Sequence, residues 1–436
     1  MSANRAMRAQ AQDIFLHALG ESSIEKAFAR HVNYDRGVLR VCDDLYDLRS
    51  YSRVFVVSFG KAGHQMAEVL AQQAGSTIGG IIADPVVHSH QLAGYRYFAG
   101  GHPHPNEESV RAAEAILKSL SALNSESLAL FMISGGGSAA VEKPADPDIS
   151  LPDLAAAYRI LVNSGAPIAQ INAVRKHLSA VKGGRMAKAA HGAQQVSILV
   201  SDVPENALDS LSSGPTMPDS STVEDCYRIA AEYSMLEEFP ASVRELFEKH
   251  ALEETPKKDD PAFARSRWWK VLSNEMAERT AAEFASQHGF TVEIDHKCDD
   301  WDFAKAADYL LARLRALQQE VPKACIVSGG EVTVKVSANA GTGGRNQHFA
   351  LYCAEKIAGE NITVLSAGTD GIDGNSPAAG AVADGTTLER AHTAGLDPGK
   401  HFSEFNASPL FETLGDAIQT GPTGTNVRDL RILLGH

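Results

Sequence analysis

The sequence predicts an α/β protein with two lobes, an N-terminal lobe with a doubly wound sheet and a C-terminal lobe with a mixed sheet. Short apolar runs that end in glycine or polar residues alternate with helical patterns along the whole chain of 436 residues, which is the order of elements in α/β folds. The polar stretch 251–262, which contains two prolines, interrupts this alternation, as domain linkers do. We therefore expect an N-terminal domain over residues 1–255 and a C-terminal domain over residues 256–436.

In the first lobe, four apolar runs predict parallel strands, because uninterrupted apolar sequence is typical of strands that are buried on both faces. They cover residues 53–59, 79–84, 128–133 and 195–201. Helical patterns occur at 62–73 and 107–120, and an amphipathic helix is expected over residues 1–19. This strand–loop–helix rhythm predicts a Rossmann-like, doubly wound sheet.

In the second lobe, the same patterning predicts a strand that begins at 270–273 and further strands at 291–296 and 362–367. Residues 323–336 predict two strands around a Gly-Gly turn. Helices are expected at 276–288, 302–319 and 345–358. A hairpin beside βα units predicts a mixed sheet.

Composition excludes several classes of function. A net charge of −14 argues against a nucleic-acid partner, because no basic stripe is available to replace counterions. The five cysteines lack zinc-binding spacing and are typical of reduced thiols in a cytoplasmic protein. No apolar run reaches the ~18 residues of a membrane span, and the N-terminus lacks the features of a secretory signal. We expect a cytoplasmic protein that binds small molecules, not membranes or nucleic acid.

The candidate functional residues lie in loops at the predicted strand ends, because open α/β sheets bind ligands at the carboxyl ends of their strands. The first loop places Gly60 and Lys61 ahead of a helix. A lysine opposes the helix dipole at this position, so Lys61 indicates an anionic ligand, although a solvated surface lysine is the alternative. The loop lacks the GxxxxGK[ST] spacing of a Walker A motif.

A second loop gives the strongest anion-binding signal of the first lobe. It consists of Ser134, Gly135, Gly136, Gly137 and Ser138. Consecutive backbone N–H groups in such a loop form a nest for phosphate. A plain tight turn is the alternative, but a turn rarely needs three glycines.

Three further segments of the first lobe are candidates for substrate binding and catalysis. His102 and Asn106 predict substrate positioning, with helix capping by Asn106 as the structural alternative. Arg175 and Lys176 predict a clamp for a carboxylate or phosphate, with a solvated helix face as the alternative. Asp202 follows a strand and suits a general base or a Mg²⁺ ligand, with a helix cap as the alternative.

The second lobe repeats this pattern of glycine loops beside charged residues. Its candidate ligand contacts are Gly343, Gly344, Arg345, Asn346, Thr369, Asp370 and Asp373. Glycine loops flanked by lysine, arginine and aspartate in both lobes predict a polyphosphate site in a cleft between them.

Taken in order, the sequence blocks resemble the glycerate 2-kinase family, whose C-terminal domain is called MOFRL. The blocks are SFGKAG, GGHPHPNEES, SGGGSA, INAVRKHLSAVKGGR, SDVPEN, SSGPT, SGGEVTV, GGRNQHFAL, SAGTDGIDG and TGPTGTNVRDL. The resemblance implies transfer of the ATP γ-phosphoryl group to the 2-hydroxyl of D-glycerate. It places the family's conserved cleft lysine and arginine at Lys61 and Arg345. Two departures are the long loop SANAGTG after Val336, which would affect loop closure, and the small residues AAV after Ser138, which would affect packing.

On this interpretation, Lys61 and Arg345 close on the transferring phosphoryl group from opposite lobes of the interdomain cleft and neutralise its charge. The glycine loops bind ATP, the co-substrate, and Mg²⁺ is the expected metal. Asp202 is the candidate base, and Asp370 and Asp373 are the candidate metal ligands, although the sequence leaves the division of these roles open. A homodimer is also left open.

Two other functions are weighed against kinase activity. An NAD(P)H-dependent hydroxypyruvate reductase would need a GxGxxG motif after the first strand, which is absent, although Asp84 stands at about the position of a ribose-binding acid. A non-catalytic sensor of nucleotides or sugar phosphates would not need paired cations and three loop aspartates.

Overall fold

The computed structural model describes residues 3–75, 78–336 and 339–436. The chain forms two compact units. The Rossmann-like unit comprises Ala27–Val271, and the C-terminal unit comprises Met1–Lys26 together with Leu272–His436. These bounds differ from the expected division after residue 255.

The Rossmann-like unit combines a six-stranded sheet with a small antiparallel sheet and flanking helices. In chain order its elements are α2 (Ile24–His31), which begins in the other unit, β1 (Val32–Asp35), β2 (Val38–Val41), β3 (Asp44–Asp47), β4 (Arg53–Phe59), α3 (Gly63–Ala74), β5 (Gly79–Asp84), β6 (Tyr95–Ala99), α4 (Glu107–Leu120), β7 (Ser127–Ser134), α5 (Gly137–Ala140), α6 (Leu151–Asn163), α7 (Ile168–His177), α8 (Arg185–Ala189), β8 (Gln194–Val200), α9 (Val223–Glu232), α10 (Ala241–Glu248) and β9 (Ser266–Leu272).

The large sheet of this unit has the strand order β6-β5-β4-β7-β8-β9. The five strands from β6 to β8 are parallel, and all four apolar runs of the first lobe form strands, as predicted. The order of the strands along the chain reverses between β4 and β7. The carboxyl ends of these two strands are therefore the topological switch point, where ligands of such sheets bind.

The C-terminal unit is also α/β, with a mixed sheet. Its elements are α1 (Ala3–Glu21), α11 (Asn274–Gln287), β10 (Thr291–Ile294), α12 (Phe303–Gln318), β11 (Ala324–Gly329), α13 (Arg345–Lys356), β12 (Ile362–Gly368), β13 (Gly380–Asp384), α14 (Thr387–Thr393), α15 (Pro398–Ser403), α16 (Ala407–Leu414), β14 (Ala417–Ile418) and β15 (Asp429–Gly435). The strand order is β10-β11-β15-β12-β13-β14. Only β10 and β11 pair in parallel among these strands; the other pairs are antiparallel. The structure thus confirms the α/β fold with a mixed second sheet.

Both expected domain limits shift for reasons of packing. Helix α1 packs against α11, and its Arg8 forms ion pairs with Asp384 and Asp416, so the N-terminus joins the C-terminal unit. The polar stretch 251–262 precedes β9, which is the last strand of the Rossmann-like sheet. It is therefore a loop within that unit rather than the boundary.

The hairpin expected in residues 323–336 does not form. Its first half is β11, but in the described part of 331–336 only Thr333 makes a bridge, with Asp302. Strand β11 already pairs with β10 on one side and with β15 on the other, so no edge is left for a returning strand. Within residues 3–75, 78–336 and 339–436, none of the helices has the length and apolar character that crossing a bilayer requires.

Candidate active site

Two predicted loops meet at the switch point of the Rossmann-like sheet. Gly60 follows β4 with a φ of +107°, and a Cβ built there would lie 2.5 Å from the carbonyl oxygen of Ser134, so only glycine fits. The N–H of Lys61 donates to the carbonyl oxygen of Gly135 at 2.9 Å. The N–H of Ala62 donates to Ser134 Oγ at 3.0 Å. The lysine loop and the triple-glycine loop therefore form one structure.

The triple-glycine loop is closely approached by side chains from the segment after β8. A Cβ on Gly135 would lie 1.7 Å from Asp202 Oδ2, and one on Gly137 would lie 2.3 Å from Ser212 Oγ. The hydroxyl of Ser212 also donates to the carbonyl oxygen of Ser134 at 2.9 Å. The structure thus places the carboxylate of Asp202, the candidate base, directly against the candidate phosphate loop.

The side chains of Lys61 and His102 lie beside the same loop. A Cβ on Gly136 would lie 3.0 Å from Lys61 Cγ and 3.4 Å from His102 Nδ1. Lys61 is exposed, and within the described ranges its ammonium group has neither a hydrogen bond nor an ion pair. Partial burial, followed by the charges of Lys61 and His104, lowers the pKa of His102. His102 therefore stays neutral near pH 7, next to an available cation.

A buried ion pair that no sequence pattern indicated lies under the loop. Lys182 Nζ donates to the carbonyl oxygen of Ser138 at 2.8 Å and contacts the carboxylate of Glu142, which also accepts hydrogen bonds from the hydroxyls of Tyr158 at 2.8 Å and Ser179 at 2.5 Å. Burial lowers the pKa of Lys182 to about 8, against the attraction of Glu142. This pair anchors the loop from beneath.

The two predicted cations of α7 have different surroundings. Lys176 is buried, and its Nζ donates to Asp209 at 2.9 Å and to Asp219 at 3.1 Å. The guanidinium group of Arg175 lies 4.7 Å from the ring centre of Tyr158, and its Nε has no hydrogen-bond partner in the part of the chain that the structure describes. Of the two, Arg175 is the cation that forms no ion pair with the described residues.

Asn106 caps α4, as the structural alternative predicted. Its Oδ1 accepts from the N–H of Ser109 at 2.9 Å, and its Nδ2 donates to the carbonyl oxygen of Ala99 at 3.1 Å. The side chain is therefore engaged at both ends, and contact with substrate stays a prediction.

In the C-terminal unit, two carboxylates hold Arg345 at the start of α13. Its Nε and Nη2 donate to the two oxygens of Asp429 at 2.6 and 3.0 Å, and Nη2 lies 2.9 Å from Glu331 Oε1. Burial alone would lower the pKa of Arg345, but the hydrogen bonds to Asp429 and the charges of both carboxylates raise it. A bidentate pair fixes the plane of the guanidinium group. Glu331 and Asp429 lie in the blocks SGGEVTV and TGPTGTNVRDL, but the sequence predicted no role for either residue.

The predicted metal ligand Asp373 caps the same helix. Its carboxylate accepts from the N–H of Asn346 at 3.0 Å and from the N–H of Gln347 at 2.8 Å. Burial raises the pKa of Asp373 to about 7, against these hydrogen bonds. The side chain of Asn346 accepts from the hydroxyl of Ser366 at 2.6 Å. These contacts join the aspartate loop to the helix that carries Arg345.

The other two residues predicted in this loop differ in accessibility. The hydroxyl of Thr369 is buried, donates to the carbonyl oxygen of Arg428 at 2.7 Å and accepts from the N–H of Val427 at 2.9 Å. Asp370 is partly exposed, and its Oδ1 accepts from the N–H of Ile372 at 3.1 Å. Among the described residues, no three histidine, cysteine or acidic side chains are grouped to hold a metal ion.

A cavity of about 470 Å³ lies beside Arg345, entirely within the C-terminal unit. Its lining includes Gly343, Gly344, Arg345, His348, Asp370, Ile372, Asp373 and Phe405. Of the loop noted for its length, Ser337 and Ala338 lie outside the described residues. Ala139, Ala140 and Val141, the other departure, are buried, as expected for a packing change.

Comparison with known proteins agrees with these motifs. A family model described as a domain of unknown function, DUF4147, matches residues 10–248, and the MOFRL family model matches residues 324–429. The D-glycerate 2-kinase of Thermotoga maritima is 33% identical over 419 residues, which are 94% of this chain and 95% of that protein. The chain belongs to the glycerate 2-kinase family.

Other comparisons support the same family. The crystal structure of a glycerate kinase from Thermotoga maritima matches this member of the glycerate 2-kinase family with a TM-score of 0.86 at 31% identity, over 99% of this chain and 100% of that one. A protein of Agrobacterium vitis, 35% identical over 88% of each chain, carries the provisional name hydroxypyruvate reductase.

The contacts of Asp84 are relevant to the name hydroxypyruvate reductase, because a reductase would need a ribose-binding acid at this position. Asp84 ends β5 and is buried. Its carboxylate accepts from the N–H groups of His64 at 3.1 Å and Val86 at 2.9 Å, and His88 Nε2 lies 3.3 Å away. Asp84 therefore serves the local fold of this kinase-family chain, whereas a ribose-binding acid needs carboxylate oxygens that are open to ligand.

Proposed function

We propose that the chain transfers the γ-phosphoryl group of ATP to the 2-hydroxyl of D-glycerate and forms 2-phosphoglycerate and ADP. The observation that carries the proposal is the glycine loop at the switch point, with Lys61 beside Gly136 and the carboxylate of Asp202 against Gly135. An anion nest, a cation and a carboxylate are the parts that phosphoryl transfer needs. The acceptor comes from the names of relatives that match nearly the whole chain.

In the proposed reaction, the oxygen of the 2-hydroxyl attacks the γ-phosphorus, and the bond between that phosphorus and the bridging oxygen of ADP breaks. Asp202 accepts the hydroxyl proton. The N–H groups of the glycine loop bind phosphate oxygens, and Lys61 and Arg345 neutralise the charge that builds on the equatorial oxygens.

The glycerate carboxylate is assigned to Arg175. A guanidinium group binds a carboxylate through two parallel hydrogen bonds, and Arg175 has an Nε without a partner among the described residues. Lys176 is less suited, because its ammonium group already contacts two carboxylates. His102, adjacent to Lys61, is assigned to positioning of the substrate.

Mg²⁺ fits this donor set. Kinases hold Mg²⁺ with one or two carboxylates and the phosphates themselves, and the partly exposed carboxylate of Asp370 is suited to that role. Asp373 is less suited, because both of its oxygens accept backbone N–H groups. When bound, the ion neutralises phosphate charge.

The test is to incubate purified protein with ATP, Mg²⁺ and D-glycerate and to resolve the products by ³¹P NMR. We expect 2-phosphoglycerate and ADP in equal amounts, and no ADP when all metal is chelated. Formation of 3-phosphoglycerate would contradict the assigned hydroxyl. Oxidation of NADH with hydroxypyruvate, without ADP formation from glycerate, would instead favour the reductase.

The metal assignment is tested with a pair of aspartate variants. Asp370→Asn should lower the rate about 10²-fold through loss of a metal ligand, and added Mg²⁺ should recover part of it. Asp373→Asn should leave the Mg²⁺ dependence unchanged. The opposite pattern would move the ligand role to Asp373.

A further inference from the structure

The cavity of the C-terminal unit is lined by aromatic and aliphatic side chains and by polar ones. Its volume of about 470 Å³ is within the usual range for small-molecule sites, about 300–1,000 Å³. The apolar lining includes Phe405, which stacks on His348 with ring centres 4.2 Å apart, and Ile372, which is 47% exposed. The polar lining includes Arg345 and Asp370.

His348 is a buried polar group that lines this cavity. It is 2% exposed, and its faces are covered by Phe405 and by Phe402, whose ring centre is 4.3 Å away. Its Nδ1 has no hydrogen-bond partner within residues 3–75, 78–336 and 339–436. Burial lowers the pKa of His348 to about 4, so the ring is neutral at pH 7 and has one N–H donor and one acceptor. A buried polar nitrogen without a partner is unfavourable, and a ligand with a complementary edge would remove that cost.

The charges of the lining select against an anionic group. Asp370 and Asp373 contribute carboxyl groups to the cavity, and Arg345 is already paired with Asp429. A phosphate placed here would meet two carboxyl groups and a single cation of the lining, which is already shared with Asp429 and Glu331, whereas an uncharged, flat heteroaromatic ring would pack on the apolar side chains.

We propose that this cavity binds the nucleobase of the phosphoryl donor. The base packs against Phe405 and Ile372, and an edge of the base forms a hydrogen bond with His348. The phosphates then lie outside the cavity, and the loop at Gly343 and Gly344 recognises the nucleoside instead. This inference rests on the proposed function only in taking a nucleoside triphosphate as the donor.

The experiment compares ligands with and without a base. Ile372→Ser and Phe405→Leu each remove apolar contact at positions that are not fully buried, and Ile168→Ser, at a site 64% exposed in the other unit, is the matched control. Dissociation constants for ADP and for inorganic tripolyphosphate are measured by calorimetry on the full-length protein. We expect both cavity variants to bind ADP about tenfold more weakly, with tripolyphosphate within about twofold of the unchanged protein and no effect in the control.

The outcomes separate this inference from the proposed reaction. Unchanged ADP affinity in both cavity variants, or an equal loss of tripolyphosphate binding, would overturn the nucleobase site even if glycerate is phosphorylated. Selective loss of ADP binding would support the site even if another acceptor replaces glycerate. Failure of the unchanged protein to bind ADP would overturn it as well.

Discussion

The cations of the two units are prepared for a ligand in opposite ways. Lys61 is exposed beside an anchored glycine loop, and its ammonium group gains no partner from the described residues. Arg345 is fixed by bidentate hydrogen bonds to Asp429 and by Glu331. On the proposed function, Lys61 would be positioned by the phosphate, whereas Arg345 is oriented before a ligand binds. Hydrogen bonds anchor the loop beside the cation in one unit, and carboxylates hold the cation itself in the other.

The largest expected effect comes from removing either cation. Lys61→Ala and Arg345→Ala should each lower kcat by ~10²–10⁴, more than they weaken ATP binding, because the charge they neutralise builds up in the transition state. Steady-state kinetics and a separate measurement of ATP affinity provide the check, with Lys118→Ala, an exposed lysine on α4, as the control. If Lys61→Ala raises only the Kd of ATP, Lys61 is a ground-state anchor.

The anchoring of the glycine loop is tested through its buried ion pair. Lys182→Met should lower the free energy of unfolding by about 3–5 kcal/mol, because it leaves the carboxylate of Glu142 buried without its cation. The double variant Lys182→Met/Glu142→Gln should recover at least half of that loss. Lys143→Met, at the exposed pair of Lys143 and Glu114, should cost less than about 1 kcal/mol. Equal losses in the free energy of unfolding for Lys182→Met and Lys143→Met would show that the buried pair stabilises the fold no more than the exposed pair does.

The preorganisation of Arg345 predicts an intermediate effect. Asp429→Asn keeps the shape of the side chain but weakens the bidentate pair, and kcat should fall about 10–100-fold through loss of orientation. Arg345→Lys should not restore activity fully, because lysine lacks the planar fork. Glu360→Gln, which alters the bidentate pair of Arg315 on the surface, should leave kcat unchanged. An unchanged kcat in Asp429→Asn would mean that Arg345 does not need Asp429 to be oriented for catalysis.

The smallest effect concerns the helix that carries Arg345. The folded protein raises the pKa of Asp373 from 3.8 to about 7, so the native state holds a proton that the unfolded chain releases at lower pH. The stability from this group is fully present below pH 3.8 and is lost as pH rises toward 7.

The midpoint of thermal unfolding should therefore fall between pH 5 and pH 7.5 by a few degrees more in the unchanged protein than in Asp373→Asn. Asp302→Asn, an exposed cap of α12, should behave like the unchanged protein. Parallel curves for the unchanged protein and Asp373→Asn would show that Asp373 does not titrate in this range.

The sequence predicted the parts of the fold that are coded locally. Runs such as 53–59 and 128–133 are mostly apolar, and each forms a largely buried parallel strand. The sequence missed what depends on distant pairing. Strand β15, at the end of the chain, lies between β11 and β12, and α1 packs in the C-terminal unit, because neither placement leaves a local pattern.

In the candidate site, too, features with a local sequence signal were predicted, and contacts between distant residues were not. The glycine loops were found because glycine clusters at strand ends are a local signal. Neighbouring atoms leave no room for a Cβ at Gly60 or Gly135, which explains why these positions are glycine. The carboxylate partners of Lys182 and Arg345 were not assigned from the sequence. Glu142 lies 40 residues from Lys182, and Asp429 lies 84 residues from Arg345, and a single acidic residue in a long sequence has no distinguishing pattern.

The central claim is that Lys61 and Arg345 act on one phosphoryl group, and a double-mutant cycle tests it most directly. It requires kcat for Lys61→Ala, Arg345→Ala and the double variant, with ATP and D-glycerate saturating. Residues that act as a unit are not additive, so we predict that the double variant is less than about tenfold slower than the slower single variant. A double variant whose loss equals the product of the single losses would show that the two cations act independently and would contradict the account.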